Sequence, residues 1–337
     1  MSCGRITKGR KNNMTKGAEL GKGLKIGDTS TPNNVFCAPL AGYTDFAFRK
    51  LCYSFGAGLC FTEMVSAKGL KYNSEATRQL LYRDKSEPQT AAQLFGSDPL
   101  ILREACESED LKDFRLIDIN MGCPVPKVYK NGEGSALLAD FSRAAKIISE
   151  CKKSGKAISV KFRIGLERGK IVAADFAKLC EDAGADMITV HGRTRDMYYS
   201  GEPDYAAIAA AKAAVKIPVI ANGGVFSRED ALRMLDETGA DGVMVARAAM
   251  YDPHVFSEIL GGKDTWDRRA AIEAQIADML LFYGEKYTVV QMRKMASFYL
   301  RGMRGCAQMR AKLFTCGTIS ELHTVLDEIF AADRASD

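Results

Sequence analysis

From residue 34 to residue 262 the chain repeats one unit: a short apolar run, a break at Gly, Pro or a polar residue, then an amphipathic stretch. The apolar runs are VFCAP (35–39), LCFTEM (59–64), TAAQLF (90–95), LIDIN (116–120), AISVKFR (157–163), MITVHG (187–192), IPVIANGG (217–224) and GVMVAR (242–247). Their length and their β-branched content read as buried strands. The stretches between them read as helices. FSRAAKIISECKKSG puts Ala145, Ile148 and Cys151 on one face and stops at Gly155. GKIVAADFAKLCEDAGAD and SREDALRMLDETGAD each end on a glycine suited to a helix C-terminus. Strand followed by helix, eight times over, predicts an α/β fold of the (β/α)8 TIM-barrel type. A doubly wound sheet is the alternative, and it seldom needs eight regular units. After residue 262 the strands stop, and 266–332 carries only helical patterns. The organisation expected is a basic flexible segment over 1–27, a barrel over 28–262 and a small all-α helical domain over 263–337. Met14 is a candidate start within the basic segment.

The 337 residues, 47% of them hydrophobic, are enough for one large barrel with an appendage. The net charge of +5 permits a polyanionic partner without demanding one. None of the ten cysteines forms a C-x-x-C pair, which argues against a zinc or iron–sulfur site and for a reducing cytoplasm. The first residues lack the apolar core of a signal peptide, and no apolar run approaches the ~20 residues of a membrane span.

Barrel enzymes carry their chemistry where the strands end at the C-terminal face. Alternation along the fifth strand puts Ser159, Lys161 and Arg163 on one face and Val160 and Phe162 on the other. The apolar pair faces the helices, so Lys161 and Arg163 point inward, towards an anionic ligand or a carboxylate such as Glu63 or Asp118. His191 closes the sixth strand. Gly223 and Gly224 close the seventh, and Arg247 follows the eighth, where barrels commonly build a phosphate site. Gln93 turns an amide inward from the third strand, to meet a planar cofactor or a neighbouring backbone. Cys123 follows the fourth strand between Gly122 and Pro124, with a long glycine-containing loop behind it. A thiol is mostly protonated at neutral pH, so this one can give a proton as well as attack. A lysine, a histidine, Asn222, Gln93 and a phosphate pocket around one mouth suit flavin mononucleotide (FMN). Lys161 would hold the negative charge of the reduced ring, with Gln93 and Asn222 on its pyrimidine edge.

The segments APLAGYTDFAFRKLC, TEMVSAKGL, AQLFGSDP, DINMGCPVPKVYKNGEGSALL, VKFRIG, TVHGRTRDMYYSGEPDY, PVIANGGV and VARAAMYDP follow in that order. Together they resemble the tRNA-dihydrouridine synthases, more closely their bacterial B-type branch, over residues 34 to 320. The resemblance implies an enzyme that binds FMN, takes hydride from NADPH and passes it from flavin N5 to C6 of a uridine in the D arm of tRNA. It implies Cys123 as the proton donor to C5. It places Pro39, Ala41, Gln93, Lys161, His191, Asn222, Gly223, Gly224, Ala246 and Arg247 around the cofactor, and Asn120 beside the substrate. It further implies tRNA as partner, no membrane, a cytoplasmic setting and a monomer. Two positions depart from the family pattern: Ala246 stands where glycine is usual, and Tyr43 where valine is frequent.

Between Lys286 and Lys312 there are seven basic residues and no acidic one. Arg293, Arg301 and Arg304 recur at near-helical spacing, with Tyr287, Phe298 and Tyr299 interleaved, which predicts a basic stripe for RNA. Arg163, Arg193 and Arg195, with Lys127 and Lys130 in the cysteine loop, would extend that phosphate track to the barrel mouth. One competing reading is another FMN barrel, such as a dihydroorotate dehydrogenase or an old-yellow-type ene reductase, which would not need the basic helical domain. A barrel isomerase or aldolase without flavin is a second, which a colourless protein would favour. A third is an RNA-binding protein with a vestigial barrel, against which the set of Cys123, Lys161 and His191 argues.

Overall fold

In the computed structural model, residues 19–263, 266–301, 303 and 306–334 are described. Eight parallel strands form the barrel: β1 (Val35–Cys37), β2 (Cys60–Ser66), β3 (Thr90–Phe95), β4 (Leu116–Met121), β5 (Ala157–Arg163), β6 (Met187–His191), β7 (Val219–Asn222) and β8 (Gly242–Val245). Each pairs with the next in parallel register, β8 returns to pair with β1, and a bridge between Phe36 and Leu59 joins β1 to β2 and closes the ring. The period-2 alternation divides the apolar residues into two bodies. Phe36, Phe61, Ala91, Leu116, Ala157, Met187, Ile220 and Met244 fill the interior. Val160, Phe162 and their equivalents face outward under the helices, where Phe162 packs against Phe176 with ring centroids 4.9 Å apart. Each large side chain buried this way contributes about 1.5–3 kcal/mol.

Two expectations need correction. The expected loose segment over 1–27 runs too far: Lys25–Ile26 pairs with Thr29–Ser30 in a small antiparallel hairpin. Its Ile26, fully buried, belongs to the apolar cluster inside the barrel, with Leu24 packed against it. Residues 1–18 lie outside the described ones. The strand β2 is also irregular. Its register to β3 shifts between Phe61 and Met64, a bulge that directs Met64 into the barrel mouth and turns Glu63 to the backbone N–H of Gly42.

Helices cover the barrel. Helix α1 (Phe46–Ser54) is capped by the Asp45 carboxylate, which accepts from the N–H of Phe48. Its Arg49 is fully buried and donates to both oxygens of Glu87, at 2.8 and 2.9 Å. The short helix α2 (Pro126–Lys130) lies in the segment behind Cys123. Helix α3 (Phe141–Lys152) buries Ala144, Ile147, Ile148 and Cys151; Ala145 is only half-buried, one position off the expected stripe. Helix α4 (Arg247–Tyr251) follows β8. Then come α5 (Arg268–Tyr283), α6 (Glu285–Tyr299), α7 (Cys306–Thr315) and α8 (Ile319–Arg334). Of these, α5 packs on α1 and α6 on α4, while α7 and α8 pack on α6. Lys50 pairs with Asp278 at 2.7 Å, and the rings of Tyr82 and Phe282 stack at 3.7 Å. No helix among the described residues is long and apolar enough to cross a membrane.

Candidate active site

The C-terminal ends of the strands surround a cavity of about 390 Å³. Pro39, Ala41, Gln93, Lys161, His191, Asn222, Gly223, Gly224, Ala246 and Arg247 all line it, and so do Asn120, Cys123, Arg163 and Arg193. Strand alternation brings them together: Gln93 pairs in register with Asp118, Asn120 with Lys161, Lys161 with Thr189, and Arg163 with His191. The loops do the rest. Gly223 and Gly224 hold φ of 121° and 77°, a left-handed backbone that favours glycine. A Cβ at Gly223 would come within 3.1 Å of the His191 ring. Ala246 sits at φ −122°, so its Cβ needs no left-handed conformation and the alanine is tolerated where glycine was expected.

Cys123 is held on a turn, not on a free loop. The side-chain oxygen of Asn120 accepts from the N–H groups of Gly122 (3.1 Å) and Cys123 (2.9 Å). The Cys123 carbonyl accepts from both the N–H and the hydroxyl of Ser135. Arg163 donates to the Gly122 carbonyl at 2.9 Å. The long loop behind Cys123 is folded into α2 and a 3-10 turn over Gly134–Ala139. Pro126 presets the helical φ, and Gly132 and Gly134 adopt the positive φ that the return requires. Burial raises the half-buried Cys123 thiol above its ordinary pKa, against the pull of a backbone N–H, Arg163 and Lys161. The thiol is therefore protonated at neutral pH and suited to act as an acid.

The cations share one wall. Lys161 donates to the side-chain oxygen of Asn222 at 2.9 Å; its pKa is lowered to about 8 by desolvation and then by Arg163. Neither carboxylate weighed as its ion-pair partner takes that place. Glu63 is turned away by the bulge, and Asp118 accepts from Gln93 and Ser159. The second lead, that Gln93 meets a backbone group, also fails: its amide lies between Asp118 and Asn120. Desolvation, with Lys161, Arg163, Arg193 and Arg247 nearby, holds His191 well below its ordinary pKa, so it is neutral. Arg193 can only donate, and its guanidinium lies 3.3 Å from Nε2, so Nε2 accepts and the ring proton is on Nδ1. Arg247 lies 5.4 Å from the Phe226 ring and 5.9 Å from that of Tyr199.

The remaining expected substrate residues scatter. Arg163 spends its guanidinium on the carbonyls of Gly122, Thr194 and Tyr198, and Arg193 on those of Ser200 and Gly201. Arg195 covers the Tyr129 ring at 3.7 Å, tying the loop after β6 to α2. Lys127 and Lys130 are exposed, outside the cavity lining. The expected stripe on α6 is not one face. Arg293 lies by Glu321 and Cys316, Arg301 stands beyond the helix end over the Tyr251 ring at 4.6 Å, and Arg304 is outside the described residues. Tyr299 is fully buried and donates to Gln275, so it offers no RNA surface. Cavity residues not anticipated include Met64, Tyr199, Phe226 and Met250. The two exposed aromatics could have been found as large rings in loops directly behind strand ends. Tyr43 also lines the cavity, packs on Phe298 of α6 at 5.9 Å, and lies 4.2 Å from the Lys294 ammonium.

A barrel whose strand ends gather cations, amides and a half-buried thiol around one cavity has the arrangement of a (β/α)8-barrel active site. Residues 36–334 match the model of the family described as dihydrouridine synthase. The tRNA-dihydrouridine synthase B of Pseudomonas aeruginosa is 37% identical over 299 residues, covering 86% of this chain and 90% of its own length. A probable tRNA-dihydrouridine synthase 1 of Synechocystis sp. is 35% identical over 323 residues, 93% of this chain and 91% of its own. The chain belongs to the dihydrouridine synthase family and is a flavin-dependent oxidoreductase of it. Among solved structures, histamine dehydrogenase from Rhizobium sp. aligns with a TM-score of 0.55 at 15% identity, over 82% of this chain and 51% of that one, a likeness of fold alone.

Proposed function

We propose that this chain is a tRNA-dihydrouridine synthase that uses FMN and NADPH to reduce the C5=C6 bond of uridine in the D arm of tRNA. The cavity fits the flavin. Its cationic wall has Lys161 bonded to a neutral amide, which leaves its charge for an anionic ligand. Gly223 and Gly224 leave space where a side chain would crowd His191 and Pro203, so a phosphate can approach the backbone. Lys161 and His191 would flank the ring, Gln93 and Asn222 its polar edge, and Gly223, Gly224, Ala246 and Arg247 its phosphate, with Pro39 and Ala41 along its side. When bound, FMN would supply hydride chemistry at the base.

The chain's own residues do the rest. Lys161 stabilises negative charge in the cavity. Asn120 stands beside the base and holds the turn of Cys123. The thiol of Cys123 gives its proton to C5, which quenches the enolate left by hydride addition at C6. A placed acid of this kind contributes ~10²–10⁴-fold in rate. The base must leave its stack to enter the cavity, and Arg195, Arg301, Lys127 and Lys130 would meet the backbone that follows it.

The observation that carries this reading is the half-buried Cys123 thiol lining the same cavity as Lys161. Cys123→Ala is expected to keep its flavin absorbance and lose dihydrouridine formation on tRNA; undiminished formation overturns the assignment. Mapping dihydrouridine in tRNA from cells with and without the protein identifies the uridine reduced.

A further inference from the structure

Asp118 is fully buried in the layer of the barrel beneath the cavity. Its two oxygens accept from Gln93 at 2.7 Å and from the Ser159 hydroxyl at 2.6 Å. Burial without a bonded cation is costly for a carboxylate. A carboxylate is also the one side chain that, ionised, offers acceptors on both oxygens and no donor. Gln93 must therefore turn its NH2 to Asp118 and its oxygen upward, where it accepts from the Asn120 NH2 at 2.9 Å. Asn120 must then turn its own oxygen to the N–H groups of Gly122 and Cys123. Each amide's orientation follows from the one before, and the two backbone N–H groups demand the same polarity from the other end.

We propose that Asp118 is a positioning residue for Cys123: through Gln93 and Asn120 it fixes the turn that presents the thiol to the cavity. The carbonyl side of that turn is held separately, by Ser135 and Arg163. The Asp118 chain holds its N–H side. The proposal rests on the reading of Cys123 as proton donor, and it predicts that the acceptor on residue 118 matters more than the charge. An asparagine there can still accept from Gln93 with its oxygen while its NH2 donates to the Ser159 hydroxyl. A leucine can do neither.

The test compares Asp118→Leu and Asp118→Asn. Iodoacetamide labelling of Cys123 is followed by peptide mass spectrometry on flavin-free protein, and kcat and KM on tRNA are measured with the holoenzyme. With the turn released, Asp118→Leu is expected to label at least ~5-fold faster and to lose ~10–100-fold in kcat, with KM within ~3-fold. Asp118→Asn is expected to stay within ~3-fold of the unaltered protein in both measurements. The proposal is overturned if the leucine variant labels and turns over like the unaltered protein, or if the asparagine variant is damaged equally. Gln93→Leu breaks the same chain one link higher and must accelerate labelling likewise, which decides the matter should Asp118→Leu not fold. If the unaltered protein makes no dihydrouridine, the functional reading fails, and the flavin-free labelling still decides the positioning.

Discussion

The barrel mouth and helix α6 both offered rows of basic residues in the sequence, and the two rows met different ends. Lys161 and Arg163 point inward together, as their places on β5 required. On α6 the row comes apart. Lys294 reaches the Gly42 carbonyl and the Tyr43 ring, Arg293 turns to Glu321 and Cys316, and Arg301 falls past the helix end. The cause is geometric. A strand alternates with a period of two, so direction is preserved along its length. A helix turns by ~100° per residue, so Arg293 and Lys294 already face different ways, and Arg301 lies past the last residue of α6. Basic spacing on a helix indicates a shared face only over the nearest turns, whereas one strand residue of known direction orients all the others.

The comparison is tested most strongly at Lys161. If the barrel wall is where charge serves chemistry, Lys161→Ala lowers kcat for tRNA reduction by ~10²–10³-fold. Lys161→Arg should restore little, because a planar guanidinium cannot replace a compact ammonium. Kinetics within a few-fold of the unaltered protein would place Lys161 with the structural charges of α6.

The next test is pH. The Cys123 thiol is raised by burial, so its acidic form persists through neutrality. Single-turnover reduction of tRNA should be flat there and fall on the alkaline side, first as Lys161 loses its charge near its lowered pKa of about 8 and then, by ~10-fold per pH unit, as the thiol ionises above its ordinary pKa of ~8.5. A fall beginning below neutrality would assign the limb to another group.

How much of this was legible follows the same division. Gln93, Lys161, His191, Asn222, Gly223, Gly224 and Arg247 could be placed at one mouth because strand ends in a barrel converge, and the structure brings them to one cavity. Glu63 was not legible as an outward residue, since a bulge reverses the alternation that would have turned it inward. Ile26 was hidden by its basic, glycine-rich surroundings, although its hairpin fills the barrel. Tyr299 looked like a surface aromatic because its buried partner, Gln275, comes from another helix. The order of the cysteine turn depends on hydrogen bonds from Asn120, Ser135 and Arg163, which no local pattern records. Tyr43, conspicuous only as a departure from the family, is where barrel and helices meet.

Lys294 lies at that meeting point and should give an intermediate effect. Its ammonium donates to the Gly42 carbonyl at 2.5 Å, while the Gly42 N–H donates to Glu63, so the loop lining the cavity is clamped on both sides. Lys294→Ala is expected to weaken FMN binding by ~3–10-fold, read by flavin fluorescence, for the loss of one charge-assisted hydrogen bond. Unchanged binding would mean that Glu63 alone holds the loop.

The smallest effects are expected at the two arginines that first suggested a stripe, and they should differ in kind. Arg301 is exposed, so Arg301→Glu should weaken tRNA binding by only ~2–3-fold and reduce the slope of log K against log salt by about one. Arg293 is half-buried beside Glu321, whose carboxyl it helps to hold below its ordinary pKa. Arg293→Glu should therefore lower the thermal midpoint through like-charge contact and leave the salt slope of tRNA binding unchanged. Filter binding across a salt series, with a melting curve for each variant, separates the two. Equal losses of salt slope would restore the single RNA-binding face and overturn the separation of the two arginines.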